Sequence, residues 1–143
     1  MRFMIMVKAT TASEAQARPG EGVDEKVMAE MAAYHETLAK AGVLLDANGL
    51  KPSAQGWRVR YANGKRTVID GPFAETKELI AGYTLIQVRS REEAMEWARR
   101  FPAPFGDAVE GEIEVRELFE FEDCEPRAAG AALQEHEHQA TRH

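Results

Sequence analysis

The chain has 143 residues, 44% of them hydrophobic and 29% charged, with a formal net charge of -6, which is the size and balance of one globular domain. An acidic total argues against a general binder of nucleic acid or of an anionic membrane, since both need surplus Lys and Arg. The single cysteine, Cys124, excludes an intrachain disulfide and points to the cytoplasm. The charge is unevenly spread: between Ala47 and Ile69 there is no acidic residue, while Lys51, Arg58, Arg60, Lys65 and Arg66 give +5 and leave -11 for the rest. A basic segment on an acidic body could attract a small anion or an acidic partner face, and a solvated strand face is the plainer use of the same charges.

Arg2 to Lys8 reads as a strand with Phe3, Ile5 and Val7 on one side and Met4 and Met6 on the other, so both faces need cover. Its apolar run is too short for a secretory h-region or a membrane span. Ala9 to Gly22 has no periodicity and reads as a mobile loop. Asp24 is placed to cap a helix from Glu25 to about Ala41, with Val27, Met28, Met31, Tyr34, Leu38 and Ala41 along one stripe and Gly42 as its left-handed terminator. Val43 to Leu45 reads as a short strand ended by Asn48, Gly49 and Pro52.

Trp57 to Tyr61 and Lys65 to Ile69 flank Asn63-Gly64, a pair that tolerates positive φ at both centres of a type I′ turn, so a hairpin is expected. In its first arm Trp57, Val59 and Tyr61 share one side, where core packing would use them, and Arg58 and Arg60 form a row on the other. Gly82 to Val88 is apolar on both sides and reads as a central strand. Ser90 and Glu93 match a capping box that opens a helix to about Phe101, with Ala94, Trp97, Ala98 and Phe101 inward, and Pro102 and Pro104 stop it. Glu112 to Arg116 alternates as an edge strand with one wet face. The remainder, residues 123–143, is acidic, Ala-rich and His-containing and is expected to be a flexible tail; His136 and His138 lack a third ligand, so no metal site is assigned.

Strand, helix, strand, hairpin, strand, helix, strand is the order of a ferredoxin-like split βαβ unit with an inserted β-hairpin, an α+β class in which two helices cover one face of an antiparallel sheet. The other face would leave a large apolar patch on a monomer, so a homodimer through the sheet face is expected.

Ile69-Asp70-Gly71-Pro72-Phe73-Ala74-Glu75-Thr76-Lys77-Glu78 is the most specific segment of the chain. Each residue has a local use: Pro72 restricts the turn, Asp70 can accept from its backbone donors, and Phe73 offers an apolar anchor. These residues resemble the DGPF signature of the YCII-related (YciI-like) family, and the similarity extends through Ala41-Gly42-Val43-Leu44-Leu45, Gly49-Leu50-Lys51-Pro52 and Gly82-Tyr83 to cover residues 1–122. The resemblance implies a dimeric α+β barrel with a cleft between sheet and helices. In YciI-like members a His and Asp dyad has been proposed as the site, and here the match is partial. Asp70 stands in the signature, whereas His35, the histidine that precedes the tail, lies away from the dyad position, which falls closer to Met31. The resemblance also implies proximity to extracytoplasmic-function sigma factors, a regulatory association.

Asp70 and His35 are therefore the candidate catalytic residues, as proton acceptors near neutral pH. Lys77, Glu75, Arg58, Arg60 and Phe73 are the candidate substrate-binding residues, the cations for a small anionic ligand. For the charged residues a surface ion pair, and for His35 a helix-flank position, are the structural alternatives. The chain contains no phosphate-binding Gly loop, zinc-type Cys and His spacing or serine nucleophile motif, so no cofactor is expected. Two functions remain open: a small-ligand-binding or regulatory dimeric module, and a cofactor-free lyase, isomerase or dehalogenating enzyme in which Asp70 moves a proton.

Overall fold

The computed structural model describes residues 1–15 and 24–123. The tail expected from residue 123 onward, with Cys124, His136 and His138, lies past Asp123 outside the described residues, as does the second half of the loop read before the first long helix. The elements are β1 (Arg2–Lys8), a single turn α1 (Thr11–Glu14), α2 (Glu25–Lys40), β2 (Leu44–Gly49), β3 (Trp57–Ala62), β4 (Lys65–Asp70), β5 (Ile80–Gln87), α3 (Arg91–Arg99) and β6 (Ile113–Glu117), with 3₁₀ turns at Ser53–Gln55, Thr76–Glu78 and Phe121–Asp123.

Four strands form an antiparallel sheet in the order β2-β5-β1-β6, and β3 and β4 pair only with each other. This is an α+β arrangement compatible with a ferredoxin-like fold. Of the two strands read as apolar on both parities, β5 lies between β2 and β1, and β1 lies between β5 and β6. Phe3 and Ile5 of β1 and Ile86 of β5, with the adjoining Val88, form the core with Tyr34 and Leu38 of α2 and Ala94 and Trp97 of α3. Both helices thus cover one face. Met4 and Met6, which alternate with the core residues along β1, point to the other face and are only half-buried.

The helix signals act where the residues place them. The Asp24 side chain accepts from the Lys26 backbone N–H at 2.9 Å, and Gly42 adopts φ +74° beyond the end of α2. At α3 the Ser90 hydroxyl accepts from Glu93 N at 3.1 Å, while the Glu93 carboxylate reaches back to Arg89 N at 3.0 Å. Asn63 and Gly64 take φ 52° and 73°, the backbone a type I′ turn requires.

Four readings change. Thr10 caps α1 inside the segment read as loop, with Ser13 completing a capping box. Of the α2 stripe, Val27, Tyr34 and Leu38 are buried, but Met28 is 54% exposed and Ala41 is exposed, because the buried arc is narrower than the apolar one. β2 runs on through Asn48 and Gly49, since ladder bonds to β5 outweigh the turn preference of those residues. Trp57 and Tyr61 are 66% and 69% exposed rather than in the core, and every residue of β3 and β4 is exposed. The hairpin is an arm standing off the body. Among the described residues, no helix is long and apolar enough to cross a membrane.

Candidate functional site

The Asp70-Gly71-Pro72-Phe73 segment folds as a corner that roots the arm. Gly71 N donates to Gly56 O at 3.0 Å, closing the hairpin base, and the Gly71-Pro72 peptide bond is cis. A Cβ at position 71 would lie 1.8 Å from the Ser53 carbonyl oxygen, so glycine alone fits there. Phe73 N donates to the Ser53 hydroxyl oxygen at 3.0 Å, and the Arg58 guanidinium stacks 3.8 Å from the centre of the Phe73 ring. Ser53 in turn donates through its backbone N–H, at 2.9 Å, and its hydroxyl to the two carboxylate oxygens of Glu14. One serine thus joins α1, the 3₁₀ turn at Ser53–Gln55 and the corner.

A cavity of about 950 Å³ opens between α2, the β2 and β5 strands, and the segment after α3. Its wall is largely apolar, with Val7, Met31, Leu44, Leu50, Phe101 and Phe105 prominent, and its polar lining includes His35, Lys51, Asp46, Asn48 and Tyr83. Ser13, Pro52 and Gln55 border it on the side of the Ser53 junction.

His35 is fixed at both ring nitrogens. Nδ1 lies 2.8 Å from the Met31 carbonyl oxygen, which can only accept, so Nδ1 carries the proton. Nε2, 2.7 Å from Thr84 Oγ1, then accepts from the threonine hydroxyl. Thr84 is 2% exposed, and this bond satisfies its buried hydroxyl. The ring packs edge-on to Tyr34 and Phe101, at 5.6 and 6.4 Å between centroids. Tyr34 donates its own hydroxyl to Trp97 O at 2.7 Å, and burial pushes its pKa up to about 12 against a smaller opposing pull from Arg100.

Three residues that border the cavity also bond to one another: Tyr83 donates to Asp46 Oδ2 at 2.8 Å, and Asn48 Nδ2 bridges Asp46 Oδ1 and Tyr83 Oη at 3.1 and 3.0 Å. The pairing of Asn48 with Tyr83 across the ladder puts these side chains on the side that carries Met4 and Met6.

The sequence-derived candidates therefore separate. His35 lines the cavity. Asp70 is exposed at the end of β4 opposite Trp57, Arg58 and Phe73 meet at the corner, Arg60 lies further along the arm, and Glu75 and Lys77 are exposed, one just before and one within the 3₁₀ turn at Thr76–Glu78. None of these six lines the cavity. Lys51, the cation that does, was visible only as part of the basic segment, and Met31, Leu44, Leu50 and Phe105 carry no signal beyond hydrophobicity. Among the described residues, no group of three or more His, Cys, Asp or Glu is placed to hold a metal ion.

A model of the YCII-related domain matches residues 1–122. The chain belongs to the YCII-related family. It is 37% identical over 95 residues to an uncharacterised protein, R00369, of Rhizobium meliloti (strain 1021), a stretch that covers 66% of this chain and 75% of the relative. In this YCII-related chain the sheet, the arm and the cavity all fall within the matched span.

Proposed function

We propose that this YCII-related protein is a cytoplasmic, homodimeric small-ligand-binding module, and that its cavity takes a molecule with an apolar body and one anionic group directed at Lys51. The observation that carries the reading is the cavity itself: apolar over most of its wall, of a volume suited to a drug-sized molecule, with the cation Lys51 in its lining and the one lining carboxylate, Asp46, already accepting from Tyr83 and Asn48. The half-buried Met4 and Met6, on the face no helix covers, support a partner against the sheet. The enzymatic alternative, a cofactor-free lyase, isomerase or dehalogenating enzyme with Asp70 as proton acceptor, has less support, because Asp70 stands off the cavity and both nitrogens of His35 are engaged.

A thermal-shift panel tests the binding reading, using aromatic and aliphatic carboxylates beside their amide and amine counterparts. Carboxylates are expected to raise Tm, since a ligand at a hundredfold its Kd adds about 2.7 kcal/mol. Met31→Trp, which narrows the cavity beside His35, is expected to reduce the shift, and Lys51→Met to remove the preference for carboxylate over amide. A panel in which no compound stabilises the protein, or in which Met31→Trp responds like the parent, rejects the proposal. Product formation from a panel member that is lost in Asp70→Asn would favour the enzyme.

A further inference from the structure

The arm and the last strand are opposite in charge and alike in exposed apolar surface, and they lie on opposite sides of one sheet. Residues 47–69 hold five cations and no carboxylate. Residues 107–123 hold eight carboxylates against one arginine, Arg116. Among the described residues, Arg60, Lys65 and Arg66 of the arm make no ion pair, and neither do Glu110, Glu112 and Glu117 around β6. Trp57, Tyr61 and Val68 on one face of the arm are 64–69% exposed, and Phe119 beyond β6 is 78% exposed, with Val109 at 50%. The chain does not join these surfaces to each other: the arm follows β2 at one edge of the sheet, β6 forms the other, and every residue of the arm strands is exposed.

We infer that the arm of one chain docks on the acidic β6 edge of a second copy, and that the second copy returns the same contact. The contact is reciprocal, so two copies satisfy both and the assembly closes at a dimer. Reach is sufficient: six residues of strand extend roughly 20 Å, while four strands span about 14 Å from first to last. The aromatic face of the arm, which carries Arg66 opposite Tyr61, loses water against Phe119 and sets Arg66 among the carboxylates, while Arg60 and Lys65 on the other face add attraction at longer range. A basic, aromatic arm also suits single-stranded nucleic acid, but the matching acidic and apolar strip on the same molecule favours a second copy. The inference specifies the partner of the homodimeric reading above and adds a contact to the sheet face.

Charge exchange tests it by sedimentation velocity over a concentration series at low and high salt. One protein carries Arg60→Glu/Arg66→Glu in the arm, and the other carries Glu112→Lys/Glu117→Lys at the edge. The unsubstituted chain is expected to form a dimer that weakens with salt, and each variant alone to dimerise at least about tenfold more weakly. An equimolar mixture of the two is expected to recover the dimer, since each arm then faces an edge of opposite sign. Circular dichroism checks folding, and Lys65→Glu/Arg66→Glu replaces the arm variant should that one misfold. Self-association unchanged in both variants, or a mixture that does not recover, overturns the arm contact and leaves the sheet-face dimer standing. A parent chain that stays monomeric at every concentration overturns both, as does a monomer that holds a single-stranded oligonucleotide through its arm.

Discussion

Tyr34 gathers several roles in one side chain: it fills the core, stacks edge-on at 5.1 Å from Phe101, and spends its hydroxyl proton on the Trp97 carbonyl. Its pKa of about 12 against an ordinary 10 means that the folded state keeps a proton the unfolded state releases. The contribution of this group to stability is therefore complete below pH 10 and is lost as pH rises from 10 to 12. Tyr34→Phe is expected to cost about 1–2 kcal/mol at neutral pH and to flatten the fall in stability over that alkaline interval, measured by urea unfolding at a series of pH values. At this scale the sequence was partly legible. Tyr34 and Leu38 declare themselves by helical spacing, and Gly42 by its place after the helix. The engagement of His35 with Thr84 was not legible, because it joins positions 49 residues apart that only the packing of α2 on β5 brings together.

Elements were easier to read than their ends. The hairpin follows from Asn63-Gly64 and alternation, and α3 from Ser90 and Glu93, since both signals are local and carried by a few atoms. β2 was read too short, because Asn48 and Gly49 look like turn residues and their partners Tyr83 and Gly82 are remote in sequence. The arm's independence was invisible for a related reason: alternating Trp57, Val59 and Tyr61 describe a strand with an apolar side, and alternation does not say whether anything covers that side. The Ser53 junction is the device that aims the arm. Ser53→Ala removes the hydroxyl that accepts from Phe73 N and donates to Glu14. It is expected to cost about 1–3 kcal/mol and to accelerate amide exchange at Phe73 and Gly71 while α3 amides keep their protection, as measured by hydrogen exchange.

For the whole molecule, sequence reasoning reached the layer arrangement because two-sided strands demand cover, and it located one signature that turned out to build a corner. The cavity escaped it. A wall of Met31, Leu44, Leu50 and Phe105 is written in the same residue types as a core, and only the backbone path decides which of them surround space. The sheet face without helices carries a further expectation. Met6→Glu places a carboxylate between Met4 and Tyr83 on that face and is expected to weaken self-association at least about tenfold, given the cost of burying an unpaired charge. Sedimentation equilibrium at high salt isolates this effect from the charge pairing of the arm.

The acidic composition of β6 has one more result. An outermost strand offers unpaired amide and carbonyl groups to any extended chain, including its own twin, and such templates propagate into fibres. Two β6 strands laid side by side would bring the carboxylates of Glu112 and Glu117, which make no ion pair among the described residues, towards those of the other, and that repulsion opposes polymerisation along this edge. If the arm contact inferred above forms, the glutamates that take a cationic hairpin also disfavour an identical neighbour, and the assembly is expected to close instead of extending.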